Sequence, residues 1–151
     1  MSLTVAAVMT REVYAVAPDT SIETAARLLA TRHISGAPVV NTAGCPVGVI
    51  SVADLIDPDR PRTDSEGYPL FYRLTDGTPD EIGDGGSHAD GQVSDVMSPF
   101  VLSVNAGCSL VDAARLMIAE SVHRLLVMDG RRLVGIVSAI DLLRGFARGQ
   151  G

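Results

Sequence analysis

Two seven-residue phrases hold the polar residues best suited to chemistry in this chain: GVISVAD at Gly48–Asp54 and GIVSAID at Gly135–Asp141. In each, a glycine and two β-branched residues lead to a serine, and an aspartate follows three positions later. Ser-x-x-Asp behind an apolar, strand-like run is the pattern of a capped helix start. The hydroxyl of Ser51 or Ser138 would accept from the first-turn N–H groups, and the carboxylate of Asp54 or Asp141 would reach back to the cap. A helix N-terminus is also a favourable place for a phosphate, so the capping and binding readings are compatible. His123-Arg124 is a second candidate pair, which an alternating strand could simply place at a solvated edge. Arg32-His33 reads as a pair of cations at a helix C-terminus, where they complement the dipole.

Other reactive groups form no pattern. Cys45 and Cys108 sit in no Cys-x-x-Cys or Cys/His spacing, so neither a metal site nor a required cofactor is expected. Gly83–Gly91 is glycine-rich, but no Gly-Lys-Ser/Thr follows and no strand precedes it, so it is not a phosphate-binding loop. No nucleophile, base and orienting group can be picked out together, and catalysis is not expected.

The elements that must position these residues are written twice. At a shift of 88, Val8–Thr10 falls on Val96–Ser98, Thr20–Ala30 on Cys108–Ile118 with AARL kept, and Ala37–Asn41 on Leu125–Asp129. After one lost residue, Pro46–Ile56 falls on Leu133–Leu143 at a shift of 87. Such self-similarity marks a repeated structural unit. Each copy reads as an extended piece (Val13–Val16; Val101–Val104), then a helix, two strands and a second helix. The first helix opens on Thr20-Ser21 or Ser109, with Thr20/Glu23 and Ser109/Asp112 as capping boxes. Its apolar stripe is Ile22, Ala25, Ala26, Leu29 in one copy and Leu110, Ala113, Ala114, Met117 in the other. The strands are Ala37–Val40 with Pro46–Ile50, and Leu125–Met128 with Leu133–Val137, the second pair joined by the hairpin signal Asp129-Gly130. The second helix is expected to be short in copy one, stopped by Asp57-Pro58.

The organisation predicted is therefore unit 1 at 1–56, an insertion at 57–94, and unit 2 at 95–151. The insertion is rich in Asp, Gly and Pro, as mobile loops are. Its centre, Tyr68–Leu74 (YPLFYRL), is aromatic and reads as a strand or clamp that packs on something. The chain has 151 residues, 46% apolar and 20% charged, an ordinary globular balance. A formal charge of −6 argues against a general nucleic-acid surface. No apolar run approaches a bilayer span, and the first residues lack an export signal, so a cytoplasmic location with free thiols is expected.

These residues resemble a pair of cystathionine β-synthase (CBS) domains, a Bateman module. The resemblance is carried by V-M-T/S, the A-A-R-L helix, A-P-V-V-N and L-L-V-M-D, and the doubled G-h-h-S-x-x-D (h, apolar). It covers nearly everything outside 57–94. It implies an α/β (α+β) fold of two β-α-β-β-α units about a pseudo-twofold axis, sheets face to face and helices outside. It also implies a stand-alone regulatory homodimer that binds an adenosine compound (AMP, ADP, ATP or S-adenosylmethionine) in its clefts and signals to an effector protein. By this resemblance Asp54 and Asp141 would hold ribose and Ser51 and Ser138 would approach phosphate. The backbone of 34–38 and 122–126, with Ala37 and Pro38, would line adenine; Leu126 replaces the family proline in copy two. V-H-R-L-L-V-M-D resembles nucleotide-sensing members, in which His123 and Arg124 would contact phosphate; arginine's fork of donors suits phosphate oxygens, and copy one has Ser35-Gly36 there. The alternative is a CBS-pair interaction scaffold without nucleotide.

Overall fold

The structure is a computed structural model that describes residues 3–56, 70–73 and 91–148. In chain order its elements are a 3-10 turn at Val5–Ala7, α1 (Ile22–Arg32), β1 (Gly36–Val40), β2 (Pro46–Ser51), α2 (Val52–Ile56) and α3 (Leu70–Arg73). There follow α4 (Val93–Val96), β3 (Ser103–Asn105), α5 (Leu110–Glu120), β4 (Arg124–Asp129), β5 (Arg132–Ser138) and α6 (Ala139–Ala147). The mixed α/β character expected from the repeat is present. Asp57 and Pro58, expected to end α2, lie outside the described residues, as do Gly83–Asp90.

The described residues form two compact units. The first comprises 14–56, 70–71 and 91–101; the second comprises 3–13, 72–73 and 102–148. In the first, β1 and β2 form an antiparallel hairpin from Gly36↔Ser51 to Val40↔Pro46. Its turn is held by the Asn41 side chain, which accepts from the Ala43 and Cys45 amides. The expected strand at Val13–Val16 is reduced to a single bridge from Val16 to Val39. α1 packs Ile22, Ala25 and Leu29 onto Val39, Ile50 and Leu55, the apolar stripe read from its spacing. Its cap is Ser21 rather than Thr20: Ser21 Oγ accepts from the Thr24 amide. The Thr20/Glu23 box is therefore displaced by one residue, because Ser21 already supplies an acceptor at the start of the helix.

In the second unit β3 runs parallel to β4, and β4 runs antiparallel to β5, from Arg124↔Ser138 to Asp129↔Arg132. Gly130 takes the positive φ of 65° that the Asp-Gly hairpin requires. α5 starts on Ser109, whose Oγ accepts from the Asp112 amide, and buries Leu110, Ala113 and Met117. Cys108, half-buried at this cap, donates its S–H to the Ser109 carbonyl. Desolvation, reinforced by the Asp112 carboxylate, pushes its thiol pKa upward and keeps it protonated.

The two V-M-T/S segments cross between copies. Thr10, from copy one, exchanges backbone hydrogen bonds of 2.8 and 3.0 Å with Ile136 of copy two. Ser98, from copy two, exchanges two of 2.9 Å with Val49 of copy one. Each unit thus takes its leading segment from the other repeat.

The aromatic stretch is a helical turn, α3, not a strand. Tyr68, Pro69 and Leu74 lie outside the described residues; Phe71 and Tyr72 are fully buried. Both side chains are buried within this chain. Tyr72 belongs to the second unit: its carbonyl accepts from His123 N–H, and its hydroxyl accepts from Leu102 N–H at 2.9 Å. Burial holds the phenol protonated well above the ordinary tyrosine range, outweighing the Leu102 hydrogen bond. The folded pKa is raised, so this group's contribution is complete below the unfolded value of about 10 and is lost as pH rises past it. Tyr72→Phe should cost about 1 kcal/mol at pH 7 by orphaning the Leu102 amide. It should also flatten the fall in stability above about pH 10, as read from urea midpoints at pH 8 and 11.

Candidate functional site

The doubled phrase folds as two copies of one geometry. Ser51 Oγ accepts from Asp54 N–H at 3.3 Å, and Asp54 Oδ2 accepts from Ser51 N–H at 2.9 Å. Ser138 and Asp141 repeat this at 3.1 and 2.9 Å. All four residues are buried. The capping reading is therefore realised in both copies. It uses Oδ2 of each aspartate; Oδ1 of Asp141 stands 3.6 Å from the Arg144 guanidinium.

The strand preceding each hairpin delivers its first residue to this cap. Arg124 pairs with Ser138, and Gly36 pairs with Ser51. Directly opposed residues on an antiparallel pair share a face, with Cβ atoms about 5 Å apart. The second unit therefore brings Arg124, Ser138 and Asp141 to one strand end, at the N-terminus of a nine-residue helix. Arg124 is only 8% exposed, so it is not at the solvated edge its alternation allowed. His123 is exposed, and its carbonyl accepts from Ala139 N–H at 2.9 Å, a further tie to the start of α6. Such a cluster can hold an anion.

The first unit carries Gly36 at the register position of Arg124. Ser35 makes the bond equivalent to His123, its carbonyl accepting from Val52 N–H at 2.8 Å. Ala37 lies in the hydrophobic core, paired with Ile50, and Pro38, also buried, projects from the other face of β1. Arg32 stacks 4.5 Å from the Tyr14 ring centroid, and His33 caps α1 in the left-handed conformation, both structural tasks.

The motif glycines have a role that the motif pattern does not spell out. A Cβ on Gly48 would stand 2.6 Å from the Ser98 carbonyl oxygen. One on Gly135 would stand 2.6 Å from Met9 Sδ and 2.9 Å from the Thr10 oxygen. They make room for the crossing V-M-T/S segments. The available signal was the co-occurrence of V-M-T/S and G-h-h-S in both copies.

The CBS domain family model matches this chain twice, at residues 5–58 and 93–148. The chain belongs to the CBS domain family. CBS domain-containing protein CBSX2, chloroplastic, of Arabidopsis thaliana is 33% identical over 140 residues, 89% of this chain and 58% of that protein. The chain thus spans little more than half of that relative's length. CBS domain-containing protein YhcV of Bacillus subtilis is 32% identical over 136 residues, 89% of this chain and 79% of that one. Among solved structures, CBSX2 in complex with AMP superposes with a TM-score of 0.68 at 28% identity, covering 98% of both chains. The CBS domain pair of protein MJ0100, solved with 5′-methylthioadenosine and S-adenosyl-L-methionine, has a TM-score of 0.66 and covers 99% of both chains. At 20% identity that likeness speaks to the CBS fold alone. Among the described residues no helix is long and apolar enough to cross a membrane.

Proposed function

We propose that this CBS pair is a regulatory module that binds an adenosine compound, with AMP the first ligand to test. The observation that carries the reading is the second unit's cluster: Arg124 opposite Ser138, with Asp141 closing the first turn of α6. In this reading Arg124 and the positive end of the α6 dipole attract the phosphate, His123 adds a donor at the rim, and Asp141 accepts from ribose hydroxyls. Ser51 and Asp54 are the corresponding pair of the first unit, with Pro38 and the β1 backbone beside them. The AMP complex of CBSX2, a relative at 33% identity, supports the ligand class. The module performs no reaction of its own in this reading; occupancy alters a partner protein, and two chains pair as a homodimer.

Isothermal titration with AMP, ADP, ATP and S-adenosylmethionine tests this. Saturable binding of at least one is expected, with a matching rise in melting temperature. If none binds, the scaffold reading takes its place. That reading draws on Ile118 of α5 and Leu143 of α6, 78% and 61% exposed, which give the second unit apolar surface for a protein contact.

A further inference from the structure

Phe71 lies against the backbone of the first unit's motif. A Cβ built on Gly36 would stand 3.0 Å from Phe71 Cδ1, 2.6 Å from the Ile50 carbonyl oxygen and 3.4 Å from Ser51 Cα. The ring therefore rests on a bare glycine, beside the serine that opens the Ser51/Asp54 box, and is 1% exposed. Gly36 opposite Ser51 holds the register position that Arg124 holds opposite Ser138. Where the second unit has an arginine opposite its cap serine, the first has no side chain and a phenyl ring. The two choices are coupled, because any side chain at 36 would meet strand backbone and ring together. A phenyl ring offers phosphate no donor, so an anion placed beside it would lose water and gain nothing. Tyr72 belongs to the second unit, where it hydrogen-bonds to backbone leading into β3 and β4.

Resting on the adenosine-compound reading, we infer that Phe71 is a specificity-determining plug. It closes the Ser51/Asp54 motif to phosphate-bearing ligands, and each chain takes one nucleotide, at the Arg124/Ser138/Asp141 cluster. The insertion that carries Phe71 thereby makes two near-identical motifs unequal.

The test is the stoichiometry of AMP binding to the full chain, measured by isothermal titration. Wild type should take one AMP per chain. Phe71→Ala, its fold checked by circular dichroism, should admit a second AMP about tenfold more weakly, because position 36 carries no cation. If that variant fails to fold, the wild-type value decides alone: one equivalent supports the plug and two overturns it. Two AMP per chain in wild type, or one in a folded Phe71→Ala, overturns the plug and leaves the adenosine reading standing. Absence of saturable binding by AMP, ADP, ATP and S-adenosylmethionine overturns both.

Discussion

Arg124→Gln is expected to weaken AMP binding by about ten- to a hundredfold, the loss of charge-assisted hydrogen bonds to phosphate. Adenosine affinity should change by less than about threefold, since adenosine has no phosphate for Arg124 to hold. The contrast matters because Arg124 is buried and opens β4, so its removal could also disturb the strand. A disturbed strand would weaken both ligands alike. The AMP loss should shrink as salt rises, because a charge–charge attraction is screened. Titration of both ligands at two salt concentrations, wild type against variant, separates the cases. Equal losses for AMP and adenosine would reduce Arg124 to a structural residue.

The largest effect on stability is expected at Gly135. Valine there would drive its Cβ to 2.6 Å from Met9 Sδ and 2.9 Å from the Thr10 carbonyl oxygen. The methionine tail can move, but the Thr10 oxygen belongs to backbone fixed by its bonds with Ile136. Relief requires breaking that bridge, so about 3 kcal/mol should be lost, at the upper end for overpacking. For a chain of this size that is a fall of about 6–12 °C in melting temperature. Gly48→Val should behave similarly, because its Cβ would meet the Ser98 oxygen of the other crossing segment. A scanning calorimetry trace within about 2 °C of wild type for either variant would show that the crossing is not a structural requirement.

Much of this was legible in the residues, and for identifiable reasons. Period-3.6 stripes such as Ile22, Ala25, Leu29 locate α1 and α5, since burial of one helix face is decided locally. Asp129-Gly130 announces its hairpin through the φ > 0 demand of the turn, and Ser-x-x-Asp announces two helix starts through the need to satisfy orphan N–H groups. What was not legible is non-local. That 3–13 serve the second unit and 91–101 the first depends on which edge an extended segment pairs with, and V-M-T carries no code for its partner. The cap of α1 moved from Thr20 to Ser21 because two adjacent hydroxyls both fit a capping pattern. The aromatic run reads as a strand or a clamp because a short run of this kind suits either state, and it forms the helical turn α3. The burial of Arg124 was equally hidden: alternation gives the face, not how deep the strand end lies.

The central claim is that AMP docks at the start of α6 beside Arg124. Amide chemical-shift mapping of the full chain during AMP titration tests it most directly. The amides of Arg124, Ser138, Ala139 and Asp141 are expected to show the largest saturable shifts, with His123 close behind. Saturable shifts centred elsewhere, with these amides unmoved, would contradict it.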